Sequence, residues 1–495
     1  MTTSVMTAAV PPAKLRAALA EAGQLVAVRG TLPPIVVAIT DDSRRVGTGV
    51  CFVAVRGSAR DGHSFLPDVE KVGAAMVIIA EDATSTLPAL VVKDTRAAAA
   101  IAAAAFYGEP ATGMQIVGVT GTNGKTTTVG LLRHLLDTPE TPSASIGTLG
   151  VLLGNGTPLQ GGSGLTTPGP IELQRVLRAL AKVGVKRVAM EVSSHALDQQ
   201  RVGGVPFAAA VFTNLTRDHL DYHGTMESYF EAKARLVSLL APDGVAVLNA
   251  DDPWWSKLAD APRVLRFGVT ESAEVRAAEV RYTPRGSAWL LQMGEASRPV
   301  VLPLIGDFNV ANALGAAAAA LALGMTVEQV AARLATAPQV PGRLELLSDR
   351  PTILRDYAHT PDALARALAA LRPFTPGRLI VLFGCGGDRD RGKRPLMADA
   401  ARAGADVLVV TSDNPRTEDP ERILDDICAP LTPGRYERIE DRRAAIAHAI
   451  GLADPQRDVV LLAGKGHETY QIRGTTSHPF DEAEIVKELL PGMGR

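Results

Sequence analysis

The sequence predicts an α/β protein of three domains built on mostly parallel sheets. Three observations lead there. The chain has 495 residues, more than one compact core usually holds. Short apolar runs alternate with helical stretches from end to end. A glycine-rich loop, TGTNGKTT at 120–127, stands between one such run and a helix.

The first segment, 1–111, contains the strand candidates VCFVAVRG and AAMVIIAED. The second, 112–340, opens on QIVGVT (Gln115–Thr120) and continues with RVAMEVSS, AAVFTNLT and GVAVLNADD, with helical stretches between them. The third, 341–495, begins near Pro341–Gly342 and carries TILRDYAHT, RLIVLFGCGGD, DVLVVTSDNPR and DVVLLAGKGHE. Such alternation argues for parallel strands with helices on both faces. In the third segment every polar cluster follows a strand. Ligands of open α/β sheets bind beyond the carboxyl ends of strands, so these loops are where a site belongs. The alanine-rich stretches Ala97–Phe106 and Ala316–Leu323 read as closely packed helices, too short to cross a bilayer.

Composition narrows the function. At 46% hydrophobic and 21% charged the chain is globular, and a net charge of −2 provides no basic field for nucleic acid. Cys51, Cys385 and Cys428 are far apart and form no CxxC pair, so reduced thiols in the cytoplasm are expected. The N-terminus has no positive residue before Lys14 and no sustained apolar run, unlike a signal peptide. Small-molecule partners are expected, with neither nucleic acid nor membrane insertion.

The loop Thr120-Gly121-Thr122-Asn123-Gly124-Lys125-Thr126-Thr127 is the sharpest local signal. Glycines let backbone N–H groups face a phosphate, and a helix N-terminus adds partial positive charge. Lys125 suits the β- and γ-phosphates, and Thr126 suits Mg²⁺. Val119 stands where the usual pattern has its first glycine, and Gly118 is the nearest one. Glu191 ends the next strand and His219 follows the one after, which puts both at the same sheet edge. Mg²⁺ prefers carboxylate oxygen, and a histidine ligand is less usual for it. Asp218, Asp221 and His223 are alternatives on chemistry alone. Lys233, in MESYFEAKARLVSLL, reads from its own surroundings as a solvated lysine on an amphipathic helix.

Taken in order, the segments TGTNGKTT, LTTPGP, EVSSHALDQQR, TNLTRDHLDYHGT, YFEAKARL, LNADD, GDFNVANAL, PGRLE, DYAHTPDAL, FGCGGDRDRGKRP, TSDNPRTEDP and AGKGHETY resemble the Mur ligase family over nearly the whole chain. That family shares its plan with folylpolyglutamate synthetase. The resemblance implies an N-terminal UDP-binding domain, a central ATPase domain and a C-terminal Rossmann-like domain that brings an amino acid. It also implies ATP and Mg²⁺, with Glu191 and His219 as metal ligands beside Thr126. The lysine matching Lys233 is carbamylated in the family, which turns a cation into an anion beside the metal. Asn309 and Arg343 match nucleotide contacts, and Asp356 matches a ribose contact. Ser43 and the Ser58-Ala59-Arg60 loop match the uridine-diphosphate side. Thr166, Thr167, Ser193, Gln199 and Arg201 match contacts to a muramoyl peptide.

Members that use meso-diaminopimelate are similar in carrying Asp413-Asn414-Pro415-Arg416 at this place. A guanidinium can hold the distal carboxylate of diaminopimelate through two parallel hydrogen bonds and repels the ε-ammonium of lysine. Arg389, Gly464 and Glu468 match the remaining contacts, Glu468 toward the distal amine. The implied reaction runs through an acyl phosphate on the D-glutamate γ-carboxylate of UDP-muramoyl dipeptide. The amine then displaces phosphate. No residue stands out as a general base. Closure of the second segment with the third is expected, because the phosphate loop lies in one and the amino-acid loops in the other. A lysine-adding ligase, a folylpolyglutamate synthetase-like enzyme and a catalytically silent nucleotide-binding scaffold are the competing readings. Arg416 speaks against the first, the N-terminal segment and DNPR against the second, and intact Lys125, Glu191, His219 and Lys233 against the third.

Overall fold

The computed structural model describes residues 9–57, 60–159, 164–258 and 261–490. It divides into two compact units. One runs up to Arg276 and takes back Ala311–Val330; the other comprises Ala277–Val310 and the chain from Ala331 onward.

The first unit holds two sheets. The N-terminal one is built from β1 (Leu25–Arg29), β2 (Ala38–Thr40), β3 (Val50–Val53), β4 (Met76–Ala80) and β5 (Ala89–Val92), in the order β1-β5-β4-β3-β2. All pairs are parallel except β1 with β5. Side chains alternate between its faces with the period of two that a pleated strand imposes. Cys51, Val53, Met76 and Ile78 pack on the helices Pro12–Glu21 and Thr95–Tyr107, while Phe52, Val77 and Ile79 pack on Leu66–Lys71. The alanine run of Thr95–Tyr107 forms the packed helix its composition predicts, begun by Asp94 accepting from the Arg96 N–H and ended at Gly108 with φ 74°.

The central sheet contains β6 (Gln115–Thr120), β7 (Ser143–Gly147), β8 (Gly150–Leu153), β9 (Arg187–Glu191), β10 (Phe207–Phe212), β11 (Leu240–Asn249) and β12 (Val264–Gly268). Their order is β12-β11-β10-β6-β9-β7-β8, parallel apart from the β7–β8 hairpin. β6 therefore lies between β10 and β9, with Thr120 opposite Phe212 and Val119 opposite Glu191. Strand order reverses there, the place where open α/β sheets bind ligands beyond the carboxyl ends of their strands. β13 (Val275–Thr283) starts against β12, with Phe267 opposite Val275.

In the second unit β14 (Gly286–Met293) and β15 (Ala296–Leu302) form an antiparallel ribbon that the sequence reading did not contain. Its sheet comprises β16 (Glu345–Asp349), β17 (Thr352–Asp356), β18 (Leu379–Phe383), β19 (Val407–Val410), β20 (Glu437–Arg438) and β21 (Val459–Ala463). The order is β16-β17-β21-β18-β19-β20, parallel except at β16–β17, and a hairpin of β22 (Tyr470–Arg473) and β23 (Thr476–Pro479) follows. Helices Pro361–Leu371, Lys393–Gly404 and Pro420–Cys428 cover Leu379, Val381 and Phe383 on one face. Arg442–Leu452 and Glu482–Leu489 cover Ile380 and Leu382 on the other. The strands are apolar on both sides, as a doubly covered parallel sheet requires. Among the described residues no helix is long and apolar enough to cross a membrane.

Candidate functional site

The loop after β6 is held by the exit of β10. Thr122 N–H donates to the Asn214 carbonyl at 2.7 Å, Asn123 N–H to Asn214 Oδ1 at 2.9 Å, and Thr213 Oγ1 to the Asn123 carbonyl at 2.6 Å. Gly121 and Gly124 have φ 147° and 86°. A Cβ on Gly121 would run into Thr213 Oγ1, and one on Gly124 into Asn312 Oδ1, so both positions require glycine for space as well as for backbone angle. Helix Lys125–Leu136 begins directly after it, and Lys125 Nζ folds back onto the carbonyls of Gly121 and Thr122, 2.9 Å from each.

Glu191 ends β9 and is 1% exposed. Its Oε2 accepts from Thr126 Oγ1 at 3.1 Å, and its Oε1 accepts the Thr148 N–H at 2.8 Å. Its carbonyl accepts from Thr167 Oγ1 at 3.0 Å, and that hydroxyl accepts the Ser193 N–H at 3.0 Å. Thr166 Oγ1 lies 3.2 Å from Thr148 Oγ1. Arg201 donates through Nε and Nη2 to Gln199 Oε1 (3.0 and 2.7 Å) and through Nη1 to the Thr167 carbonyl (3.2 Å). Thr126, Glu191, Thr166, Thr167, Ser193, Gln199 and Arg201 thus belong to one hydrogen-bonded network.

The solvated reading of Lys233 is wrong. Helix Met226–Ala234 turns this side chain inward to 1% exposure. Its Nζ donates to the Gly121 carbonyl at 2.8 Å and lies 4.6 Å from the Tyr229 ring centre. Burial, reinforced by the charge of Lys125, holds the ammonium well below the usual lysine range. The expected continuous helix also ends early, at Ala234, and a 3₁₀ turn Arg235–Leu239 takes over.

His219 occupies a left-handed backbone position, φ 52°, before the short helix Leu220–His223. Its ring is 4.9 Å from His195 and 6.1 Å from Tyr229, and desolvation lowers its pKa. Of the alternatives, Asp218 accepts the His219 N–H at 2.8 Å, Asp221 is exposed, and His223 Nε2 lies 3.0 Å from Ser194 Oγ. No hydrogen bond joins His219 to Glu191, and no cluster of three or more His, Cys, Asp or Glu side chains suited to a metal occurs among the described residues.

On the N-terminal side, Ser43 begins the 3₁₀ turn Ser43–Arg45, capped by Asp42, and the neighbouring Asp41 feels the charge of Arg201. Arg60 accepts the Gly57 N–H at 3.0 Å. Ser58 and Ala59 lie outside the described residues.

The second unit carries the remaining candidates: Asn309 in the helix that starts at Asp307, Arg343 just before β16, and the others at the ends of β17, β18, β19 and β21. Asp356 Oδ2 accepts the Leu344 N–H at 2.7 Å, and the Arg343 guanidinium sits 4.8 Å from the Tyr357 ring. Asn309 Nδ2 donates to the Ile305 carbonyl at 2.8 Å. Asp413, Asn414 and Pro415 are buried, and Arg416, half-buried, donates to the Gly387 carbonyl at 2.9 Å from a left-handed backbone, φ 52°. Gly464 has φ 115°, and a Cβ there would lie 2.7 Å from Asp413 Oδ2. Asn414 Nδ2 donates to Glu468 Oε2 at 2.8 Å. Arg389 is exposed and bonds the Asp388 carbonyl at 3.3 Å.

Comparison with known proteins settles what this arrangement belongs to. Residues 119–320 match the Mur ligase middle domain, and 342–466 match the Mur ligase, glutamate ligase domain. The UDP-N-acetylmuramoyl-L-alanyl-D-glutamate–2,6-diaminopimelate ligase of Gloeobacter violaceus is 46% identical over 93% of this chain and 95% of its own length. The chain belongs to the Mur ligase family. For this Mur ligase, the ligase of the same name from Geobacillus kaustophilus is 44% identical over 93% of the chain and 96% of its own. A solved structure of a UDP-N-acetylmuramoyl-L-alanyl-D-glutamate–2,6-diaminopimelate ligase superposes with a TM-score of 0.68 at 35% identity, covering 93% of this chain and 96% of that one.

Reading residues one at a time missed several members of this ligase's network. Thr148 bonds both Glu191 oxygens, and Tyr229 lies under Lys233 with its hydroxyl 3.3 Å from Thr122 Oγ1. Lys465 and Arg442 were missed as well. A threonine in a turn and a lysine after a glycine carry no pattern of their own. The GKGHE spacing was the one available signal for Lys465.

Proposed function

We propose that this ligase joins meso-diaminopimelate to the D-glutamate γ-carboxylate of UDP-N-acetylmuramoyl-L-alanyl-D-glutamate, with ATP consumed to ADP and phosphate, in cytoplasmic peptidoglycan precursor synthesis. The observation that carries the reading is identity of 44–46% along almost the full length with ligases named for that substrate pair. The γ-carboxylate oxygen attacks the γ-phosphorus, ADP leaves, and an acyl phosphate forms. The amine nitrogen then attacks the acyl carbon, phosphate leaves, and the nitrogen loses a proton.

The residues support that chemistry as follows. Gly121–Gly124 are built for close approach of a phosphate, with Lys125 at the start of the helix. Thr126 Oγ1 and Glu191 Oε2, hydrogen-bonded at 3.1 Å, are oxygen donors of the kind Mg²⁺ prefers and would hold it together with phosphate and water oxygens. When bound, Mg²⁺ supplies charge neutralisation to the transferring phosphoryl group. His219 serves as a further ligand in this reading. Lys233, buried and held toward its neutral amine, is the form that reacts with carbon dioxide, so it supports carbamylation. Asn309, Arg343 and Asp356 are assigned to the nucleotide. Ser43, Ser58, Ala59, Arg60, Thr166, Thr167, Ser193, Gln199 and Arg201 are assigned to the muramoyl dipeptide. Asp413–Arg416, Arg389, Gly464 and Glu468 are assigned to diaminopimelate. The three domains take the boundaries 1–111, 112–340 and 341–495.

The test is phosphate release in Mg²⁺ with dipeptide, ATP and one amino acid at a time. Release that needs the dipeptide and is fast with diaminopimelate and slow with lysine is expected. Preference for lysine, or rapid ATP turnover without the dipeptide, would overturn the reading.

A further inference from the structure

Lys465 has no place in the assignments above, yet the polar loops around β19 and β21 are organised on it. It follows Gly464 and its side chain is fully buried. Nζ donates to Asn414 Oδ1 at 3.1 Å and to Glu468 Oε2 at 3.2 Å, and stands 4.0 Å from Asp413 Oδ1. Asn414 closes the triangle by donating to the same Glu468 oxygen. Its own Oδ1 accepts the Ile472 N–H at 2.9 Å, which ties the cluster to β22. The rings of Tyr470 and Phe480 lie 5.8 and 5.9 Å from Nζ. A buried ammonium is expensive unless paired and hydrogen-bonded. Here every hydrogen-bonding or ionic partner, Asp413, Asn414 and Glu468, is a residue assigned to the incoming amino acid.

Leaving aside the exposed Arg389, which bonds only the Asp388 carbonyl, the buried and half-buried charges around Lys465 also balance. Asp413 and Glu468 contribute two carboxylates; Lys465 and Arg416 contribute two cations. The distal end of diaminopimelate carries one ammonium and one carboxylate and is neutral overall. The distal end of lysine is a bare cation. A balanced pocket accepts the first without leaving a charge unpaired, whereas a pocket short of one cation would welcome the second.

We propose that Lys465 is a positioning residue that sets distal-end selectivity: it holds Glu468 and Asn414 in place and cancels one of the cluster's two carboxylates. This rests on the diaminopimelate reading of the same site. Steady-state kinetics are measured for wild type, Lys465→Met, Glu468→Gln and the double variant Lys465→Met/Glu468→Gln, with diaminopimelate, lysine, ATP and dipeptide each varied. In Lys465→Met, KM for diaminopimelate should rise about tenfold to a hundredfold, the scale of one charged hydrogen-bonding partner. KM for ATP and dipeptide should stay near wild type, and the preference for diaminopimelate over lysine should fall. The double variant regains balance, so its preference should return toward wild type while KM for diaminopimelate stays high. An unchanged preference in Lys465→Met, or parallel rises in all KM values with a lower Tm, would assign Lys465 to folding alone. Should Lys465→Met fail to fold, a wild-type KM for diaminopimelate in the double variant overturns the proposal. Wild type that rejects diaminopimelate brings down the substrate reading itself, a result distinct from any of these.

Discussion

Around Gly121–Lys125 polar groups are held mainly by backbone: two lysines end on the Gly121 carbonyl, and the loop is fastened by Asn214 and Thr213. Around β19 and β21 they are held by ion pairs sealed in the second unit. Lys465 meets Glu468 there, and Arg442 meets Glu482 at 2.7 Å with neither side chain exposed. Arg442 also donates to the carbonyls of Ser412 at 3.3 Å and Ala463 at 2.9 Å, the residues just before Asp413 and Gly464. A phosphate is the same in every nucleotide, and a glycine-lined backbone is the economical receptor for it. Choosing one amino acid from many needs side chains fixed in place, and fixing them needs a second layer of charge behind the first.

Four measurements would break or sharpen that contrast. Arg442→Met removes one partner of a fully buried pair and should lower unfolding free energy by about 3–5 kcal/mol in urea titration, more than the better-matched Arg442→Met/Glu482→Leu. A neutral Arg442→Met would mean the second layer is ornamental. Arg416→Ala should raise KM for diaminopimelate by roughly one and a half to three and a half decades, the equivalent of about 2–5 kcal/mol, with KM for ATP little changed. Arg416→Lys should not rescue, since an ammonium cannot reproduce the two-pronged guanidinium; unchanged diaminopimelate use in Arg416→Ala would remove it from the site.

On the phosphate side, Lys233→Ala should lower kcat about a hundredfold, the scale of one lost charge-stabilising group, and acetate or formate should restore part of it. Full activity in Lys233→Ala would end the carbamate assignment. The smallest effect concerns His467, whose pKa burial and the nearby Arg343 push down to about 4. The unfolded histidine takes its proton near pH 6.5, so the unfolded state binds more protons between about pH 4 and 6.5. The contribution is complete above that window and is lost as pH falls through it. His467→Gln should narrow the difference in urea midpoint between pH 7 and pH 5; an unchanged difference would show that the imidazole protonates as easily folded as unfolded.

The sheet pattern and the glycine-rich turn between strand and helix were legible because each is written in consecutive residues. Apolar runs mark β6, β9, β10, β18, β19 and β21, and TGTNGKTT marks its own turn. The ribbon of β14 and β15 was missed because Val275–Leu302 mixes arginine, glutamate and serine into its strands and has one covered face to advertise. Lys233 was misread for the opposite reason: its helix looks amphipathic, but the Gly121 carbonyl that receives its ammonium is 112 residues away and is brought by tertiary packing, while Tyr229 lies one turn earlier on the same helix. Arg442 and Thr148 act through partners dozens of residues away, and so does Lys465 toward Asn414; only its pairing with Glu468, three residues on, is written locally in GKGHE.

The position of β6 between β9 and β10 bears on how this chain is made. When a ribosome has just released TGTNGKTT, neither neighbouring strand exists. Residues 187–191 and 207–212 must follow before Val119 and Thr120 find their partners, and Asn312, which abuts Gly124, comes later still. Contacts of such separation form late, because the intervening chain must first be ordered. Every newly synthesised molecule therefore passes through a stage in which the motif is complete and the partners that hold its loop are absent. A fragment ending before Phe212 would carry the motif's letters without Thr213 and Asn214, the residues that fasten its loop.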